Sequence, residues 1–287
     1  MKVALVTGGS AGIGKITSRE LAKQGYHVLI AARDQVKGDS VVAQIKADFP
    51  DASAEFVAVD MSSYDDVRAL CEDIKARFDH IDRLILNAGL FTSRIRKNEA
   101  GHEYMFAATH MGHFLMTHEL MPLLKASDNA RIVVTSSVAH WVGNVLNFMD
   151  TIENPPKGDK GMLKQFLLYG RSKLANILFV NGLVKYFKDE GVDTIQVFAY
   201  HPGGVKSEFY RQFPDMVTKV VFPFLVSEEK GADTQIYLAT DPNLKATGGH
   251  WCRRKPDFRS PSAKNEKLTE QLWEYSERAL GIDRFGS

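Results

Sequence analysis

The stretch "KVALVTGGSAGIG", Lys2 to Gly14, decides the fold. Lys2 aside, its first six residues are aliphatic or β-branched, as in a buried strand, and a turn with several glycines follows at once. From Gly14, "GKITSRELAKQG" carries apolar residues at helical spacing. A strand that ends in such a turn and opens a helix lets the backbone approach a pyrophosphate, with unpaired helix N–H groups facing it. Gly8, Gly12 and Gly14 are spaced by four and then two, a variant of the GxGxxG pattern with a longer first interval. Taken alone, the turn also fits a plain strand-to-helix connection.

Outward from it, the rhythm repeats. "HVLIAA", "AEFVAV", "DRLILN", "ARIVVTS" and "DTIQVFAY" read as strands, with the helical patterns "QVKGDSVVAQIKADF" and "SYDDVRALCEDIKARF" between the earlier ones. Alternation of this kind predicts a parallel sheet, and nearly continuous apolar strands predict helices on both of its faces. We therefore expect an α/β chain with a Rossmann-type, doubly wound parallel sheet, its ligands at the carboxyl ends of the strands. No repeat, low-complexity tract or linker divides the chain, so one domain over 1–287 is expected. Two stretches break the rhythm: 140–168, around "ENPPKGDKG", and 207–226, within "SEFYRQFPDMVTKVVFPFLVS". Both are expected as excursions on the substrate side, surface insertions without function being the plain alternative.

Composition narrows the classes. Thirty-six basic against thirty-five acidic side chains leave a formal charge of +1, so no global field steers the chain onto nucleic acid or an anionic membrane. Hydrophobic residues at 44% and charged residues at 25% argue against disorder. Cys71 and Cys252 are too few for a disulfide framework and fit no ligand spacing, which points to a reducing compartment and to no metal. The apolar run at the start is too short for a signal-peptide core. "VVFPFLV", broken by Pro223, falls far below the roughly 20 residues of a membrane span. A soluble cytoplasmic monomer or homodimer is expected, peripheral membrane contact staying open.

The other strand ends speak to the cofactor. A dinucleotide fold discriminates its ribose at the end of the second strand, where a carboxylate takes a free 2′-hydroxyl and an arginine accommodates a 2′-phosphate. "LIAARD" places Arg33 there, so NADP(H) is favoured over NAD(H), with Asp34 the competing reading if the strand ends one residue later. "VAVDMSS" puts Asp60 and Met61 at the tip of the third strand, suited to the adenine edge, although Asp60 also reads as a helix N-terminal acid. "LILNAG" ends the fourth strand with Asn87, Ala88 and Gly89, small enough to leave room for a ribose or nicotinamide.

In "FLLYGRSKLANILF", Tyr169 and Lys173 are four apart and share a helix face, while Arg171 points elsewhere. The pair is either surface decoration or an acid with its cationic tuner. "TGGSAGIG", "NAG", the paired serines of "VVTSSVAH", "YGRSK" and "HPGGVKS", in that order, resemble the motifs of the short-chain dehydrogenase/reductase family over essentially the whole chain. "GIGKITSREL", "HMGHFLMTHELMPLL", "SKLANILF" and "SPSAKNEKLTEQLWEYSERALG" look most like its retinol-dehydrogenase-like branch. The resemblance implies an NADP(H)-linked alcohol/carbonyl oxidoreductase, often for lipophilic substrates of retinoid, steroid or xenobiotic type. It implies cofactor contacts from Gly8, Ser10, Gly12, Ile13 and Gly14, and from Pro202, Gly203, Val205 and Ser207, where serine replaces the commoner threonine. Ser137 matches the catalytic serine, Ser136 being the neighbour open to confusion, and Lys173 would also bind the nicotinamide ribose.

The chemistry asks for the same residue types. Carbonyl reduction needs a proton for the oxygen, and a phenol of pKa about 10 ionises too little at neutral pH to serve in both directions. At 4 Å and an effective dielectric of 20, a lysine ammonium favours a phenolate by roughly 4 kcal/mol, about three pKa units before desolvation is subtracted. Tyr169 is thus the expected proton donor or acceptor and Lys173 its tuner.

One position departs from the pattern. Where the family has an asparagine that helps hold a relay water, "ATHMGHF" has Thr109, a shorter side chain without the amide carbonyl, which puts the proton supply in doubt. His110, His113 and His118 share that segment, but their spacing does not gather them on one face, so packed or partly exposed histidines are expected there. The other readings are a weakly active or non-catalytic NADP(H)-binding sensor or scaffold, supported by Thr109 alone, and a methyltransferase, which has no use for the Tyr/Lys pair. Trp141, Phe209, Tyr210, Phe213, Phe222 and Phe224 are candidates for an apolar substrate wall.

Overall fold

The alternating segments fold as their patterning predicts. In the computed structural model, which describes residues 1–156, 161–205 and 225–287, β1 (Lys2–Thr7), α1 (Gly12–Lys23), β2 (Tyr26–Ala32), α2 (Gln35–Asp48), β3 (Ser53–Ala58), α3 (Tyr64–Arg77) and β4 (Arg83–Leu86) form the first half. A helix follows in three pieces: α4 (Tyr104–Phe106), a π turn (Ala107–Met111) and α5 (Gly112–Glu119). Next come α6 (Met121–Lys125), β5 (Ala130–Thr135), a 3-10 turn (Val138–Val142), α7 (Phe148–Glu153), the long α8 (Gly161–Asp189) and β6 (Ile195–Tyr200). The described chain closes with α9 (Glu228–Thr240), β7 (His250–Cys252), β8 (Lys255–Pro256), a 3-10 turn (Ser262–Lys264) and α10 (Glu266–Leu280).

One sheet of order β3-β2-β1-β4-β5-β6-β7-β8 carries these strands. Every pairing is parallel except that of β7 with β8. Chain direction across the sheet reverses at β1, so the loops after β1 and β4 diverge and leave a crevice between them. Alternate residues of the strands feed two cores. Val3, Leu5, Leu84, Leu86, Ile132 and Val134 pack with α3, α5, α8 and α10 on one face. Ala4, Val6, Ile85 and Val133 pack with α1, α2 and α9 on the other. Burial on both faces is why these strands read as unbroken apolar runs.

Two differences from the sequence reading have simple causes. β7 and β8 are three and two residues long, too short for any period to register. The stretch 140–168, expected as an irregular excursion, is helical in part: α7 ends just before Pro155 and Pro156, and α8 begins eight residues before Tyr169. Ser207, Phe209, Tyr210, Phe213, Phe222 and Phe224 lie outside the described residues.

Candidate active site

The crevice at the carboxyl ends of β1, β2, β3 and β4 is a cleft of about 460 Å³, within the usual size range of small-molecule sites. Gly8, Ser10, Gly12, Arg33, Asp60, Met61, Asn87, Ala88 and Gly89 all line it, as the sequence places them. Gly8 has φ +66° and Gly12 φ +54°, the left-handed values the turn requires. Gly14 stands behind the wall: a Cβ there would collide with the Gly8 carbonyl oxygen, so only glycine lets α1 start this close to β1. Ile13 lies off the cleft, its side chain turned toward Gly231 of α9.

At the far end of β2, Arg33 Nη1 donates to the Tyr104 hydroxyl at 2.8 Å and lies 3.7 Å from Asp60 Oδ2. Asp34, the competing ribose ligand, also lines the cleft, and its Oδ1 caps α2, accepting from Lys37 N at 3.0 Å. Lys37 itself lines the cleft, a second cation there that the sequence reading missed. The signal was present, since a residue one turn inside a helix capped by Asp34 is carried back toward the strand end. Asp60 accepts from both N and Oγ of Ser62, and the cap of α3 is Ser63, so Asp60 is not the helix acid of the plain reading.

Lys173 is the buried centre of the other end. Its Nζ donates to the Thr135 carbonyl at 3.2 Å and sits 5.6 Å from the centre of the Tyr169 ring. It also approaches the NAG turn so closely that a Cβ on Gly89 would lie 2.9 Å from it. Burial pushes the Lys173 ammonium down to about 8, so it stays mostly charged at neutral pH. Ser136 and Ser137 separate cleanly. Ser136 is buried and donates to the Lys173 carbonyl at 2.8 Å, whereas the partly exposed Ser137 caps the 3-10 turn, accepting from Ala139 N at 3.2 Å with its O–H left to donate. The turn and α8 meet through glycine: a Cβ on Gly170 would lie 2.6 Å from the Ala139 carbonyl oxygen, which brings the Ser137 segment beside Tyr169.

Thr109 belongs to this group. It lies in the π turn, a helix irregularity frequent at functional sites, with its buried Oγ1 unpartnered and 3.7 Å from the same Gly89 Cβ position that Lys173 approaches. Below it, His113 Nδ1 donates to the Thr109 carbonyl at 2.9 Å, which leaves Nε2 to accept from Thr7 Oγ1 at 2.9 Å. Thr7 Oγ1 in turn accepts from Asn87 N and Ala88 N, both at 2.9 Å, and so holds the NAG turn. Burial first, then the Lys173 charge, push His113 down to about 3, so it is neutral and suited to this chain. His110 and His118 go elsewhere, to Ser276 Oγ and Gly286 N. Gln235, also missed, is fully buried and ties Thr17, Asn87 and Thr135 together under the cleft floor.

Arg171 gains a role from the fold. Its Nη2 pairs with Glu103 Oε2 at 2.7 Å, both side chains 1% exposed, and its Nη1 donates to the Thr151 carbonyl. Glu103 caps α4, accepting from Met105 N and Phe106 N. One buried ion pair therefore locks α8 against the helix that carries Thr109 and against α7. Pro202, Gly203 and Val205 follow β6, with Val205 bridged to Val226.

Comparisons with known proteins speak to the family and the fold. The family model described as short chain dehydrogenase matches residues 2–148. Retinol dehydrogenase 12 of Bos taurus is 38% identical over 98% of this chain and 87% of its own length. Human retinol dehydrogenase 11 is 35% identical over 98% and 86%, and human polyprenol dehydrogenase 32% over 98% and 86%. Among solved structures, an uncharacterized protein from Mycobacterium paratuberculosis superposes with a TM-score of 0.77 at 27% identity over 98% of this chain and 94% of the other. L-sorbose reductase from Gluconobacter frateurii, solved with NADPH and L-sorbose, superposes at 0.69 with 20% identity over 87% and 94%, a likeness of fold. The chain belongs to the short-chain dehydrogenase/reductase family, in its retinol-dehydrogenase-like branch, and is an oxidoreductase acting on CH–OH/C=O groups.

Proposed function

We propose that the protein transfers hydride between NADP(H) and a lipophilic aldehyde, ketone or alcohol, with Tyr169 as proton donor or acceptor. The observation that carries the reading is the position of Lys173, buried against the NAG turn at the end of the cleft with its ammonium over the Tyr169 ring. NADP(H) supplies the hydride when bound; every other part belongs to the chain. The Gly8 to Gly12 turn and the opening of α1 would hold the pyrophosphate, and Asp60 and Met61 would flank the adenine. Arg33 and Lys37 would meet the 2′-phosphate, a preference supported by the use of Asp34 as a helix cap. Lys173 would stabilise the Tyr169 phenolate, and the Ser137 hydroxyl would donate to the reacting oxygen. Pro202, Gly203, Val205 and Ser207 would face the nicotinamide.

Thr109 would hold the relay water that the family's asparagine holds, its orphaned hydroxyl near Gly89, which Lys173 also approaches, being the group available. The apolar surroundings of Tyr169 support a lipophilic substrate: the Phe91 and Phe166 rings lie 6.0 and 6.5 Å from its own, it shares an apolar cluster with Leu168 and Met162, and Val138 and Trp141 are exposed on the adjoining turn. Stretches 140–168 and 207–226 would then flank the substrate. Cofactor consumption measured over a panel of apolar carbonyls tests the reading. NADPH should be oxidised faster than NADH, and Tyr169→Phe should reduce turnover by roughly 10²–10⁴-fold while NADPH still binds. Unchanged turnover in that variant would remove Tyr169 from the reaction.

A further inference from the structure

Cys252 has no ligand spacing around it in sequence, but the ends of β6 and β7 supply one in space. These strands pair Ala199 with His250 and Tyr200 with Trp251, which brings His201, just past β6, to the end of β7; His201 N donates to the Trp251 carbonyl at 2.9 Å. The β7–β8 hairpin folds back so that Asp257 N donates to the His250 carbonyl at 2.7 Å. One ligand atom each from His201, Cys252 and Asp257 then lies within 4.8 Å of the other two. His201 Nε2 and Asp257 Oδ2 are already 3.1 Å apart.

A second observation points the same way. His250 has a side chain with 0% exposure, and its Nδ1, 3.6 Å from Asp257 Oδ2, makes no hydrogen bond. Its ring stacks on that of His201 with centroids 5.3 Å apart. A thiolate, a carboxylate and an imidazole are the donor set of a borderline-soft divalent cation, and thiolate plus carboxylate balance its charge. Of the neighbouring arginines, Arg254 is turned away onto Asp233, whereas Arg253 lies near enough for its charge to act on His201 and Cys252.

We propose that His201, Cys252 and Asp257 form a three-ligand binding site for a divalent cation of the Zn²⁺ class, with the buried His250 ring stacked behind His201. Bond lengths of about 2.0–2.3 Å put tetrahedral ligand atoms roughly 3.3–3.8 Å apart, so loading has to open the 3.1 Å contact between His201 Nε2 and Asp257 Oδ2 slightly. It also has a consequence upstream. His201 Nδ1 accepts from Gly203 N at 3.1 Å, and a cation on Nε2 places the ring proton on Nδ1, where it faces that N–H. Loading therefore loosens the Pro202–Gly203 turn. This coupling rests on the cofactor reading above, whereas the binding itself does not.

Titrating the chelator-treated full chain with Co²⁺, followed by visible and near-ultraviolet absorption, tests the site. One Co²⁺ per chain is expected, with tetrahedral intensity and a thiolate charge-transfer band that disappears in Cys252→Ser, survives in Cys71→Ser and is displaced by Zn²⁺. Asp257→Asn, at a partly exposed position, should weaken binding about tenfold or more, which keeps the test open if Cys252→Ser misfolds. Absence of saturable absorption, or a spectrum and affinity that both variants leave intact, would mean an adventitious ion only and overturn the site. Co²⁺ binding without a change in NADPH affinity would overturn the coupling alone.

Discussion

Lys173 shows how one side chain joins the parts of the site. Its ammonium is paired with a carbonyl dipole, and burial dominates its surroundings, which is why its pKa falls to about 8 instead of rising. The charged form that favours the phenolate is present below that value and is lost as pH rises through it. The kcat/KM for carbonyl reduction, which reports the free enzyme, is therefore expected to fall as pH rises through about 8. Lys173→Met should be slow at every pH and lack that inflection, both read from initial rates. At the opposite end of the cleft, Arg33→Ser would remove the proposed charge-assisted contact to the 2′-phosphate, worth about 1.5–3 kcal/mol. Its KM for NADPH should rise roughly 10–100-fold and that for NADH hardly change. Tyr169, Lys173, Ser137 and Arg33 stand out in the sequence as candidates because residue type and local spacing single them out. Lys37, His113 and Gln235 were not, because each acts through a partner brought near only by packing.

At the scale of elements, α8 has to hold Tyr169 and Lys173 against two other helices. Sequence periodicity assigned Arg171 to a different face and could say no more. The fold places that face against Glu103, so the residue that looked incidental is the buried tie between α8, α4 and α7. Arg171→Met leaves the Glu103 carboxylate buried without its partner and should cost about 3–5 kcal/mol in urea unfolding. Adding Glu103→Gln should return part of that loss, the double-mutant cycle giving the coupling. The π turn at Thr109 belongs to the same assembly. Its local sequence carries no signal for an extra residue in the turn, since α-helical and π-helical segments share the same composition.

For the whole molecule, the C-terminal segment is a structural part of the fold. Phe285 is buried between Trp273, Phe114 and Tyr186, with ring centroids 4.6, 4.9 and 5.3 Å away, and so joins α10 to the helices on one face of the sheet. Phe285→Ala should cost about 3–5 kcal/mol by the same unfolding measurement, with cofactor affinity little changed because the cleft lies at the strand ends. Among the described residues, no helix is long and apolar enough to cross a membrane.

The amino-acid order alone determined the alternation of strands and helices, the glycine turn after β1 and which residues are candidates for proton transfer, since hydrophobic period and residue type are local properties. Only the tertiary structure decided where Arg171 goes, that Asp34 caps α2, that Thr109 and Lys173 both approach Gly89, and that His201, Cys252 and Asp257 converge. Those outcomes depend on strand register and helix packing between segments far apart in the chain, and no local pattern encodes such distances.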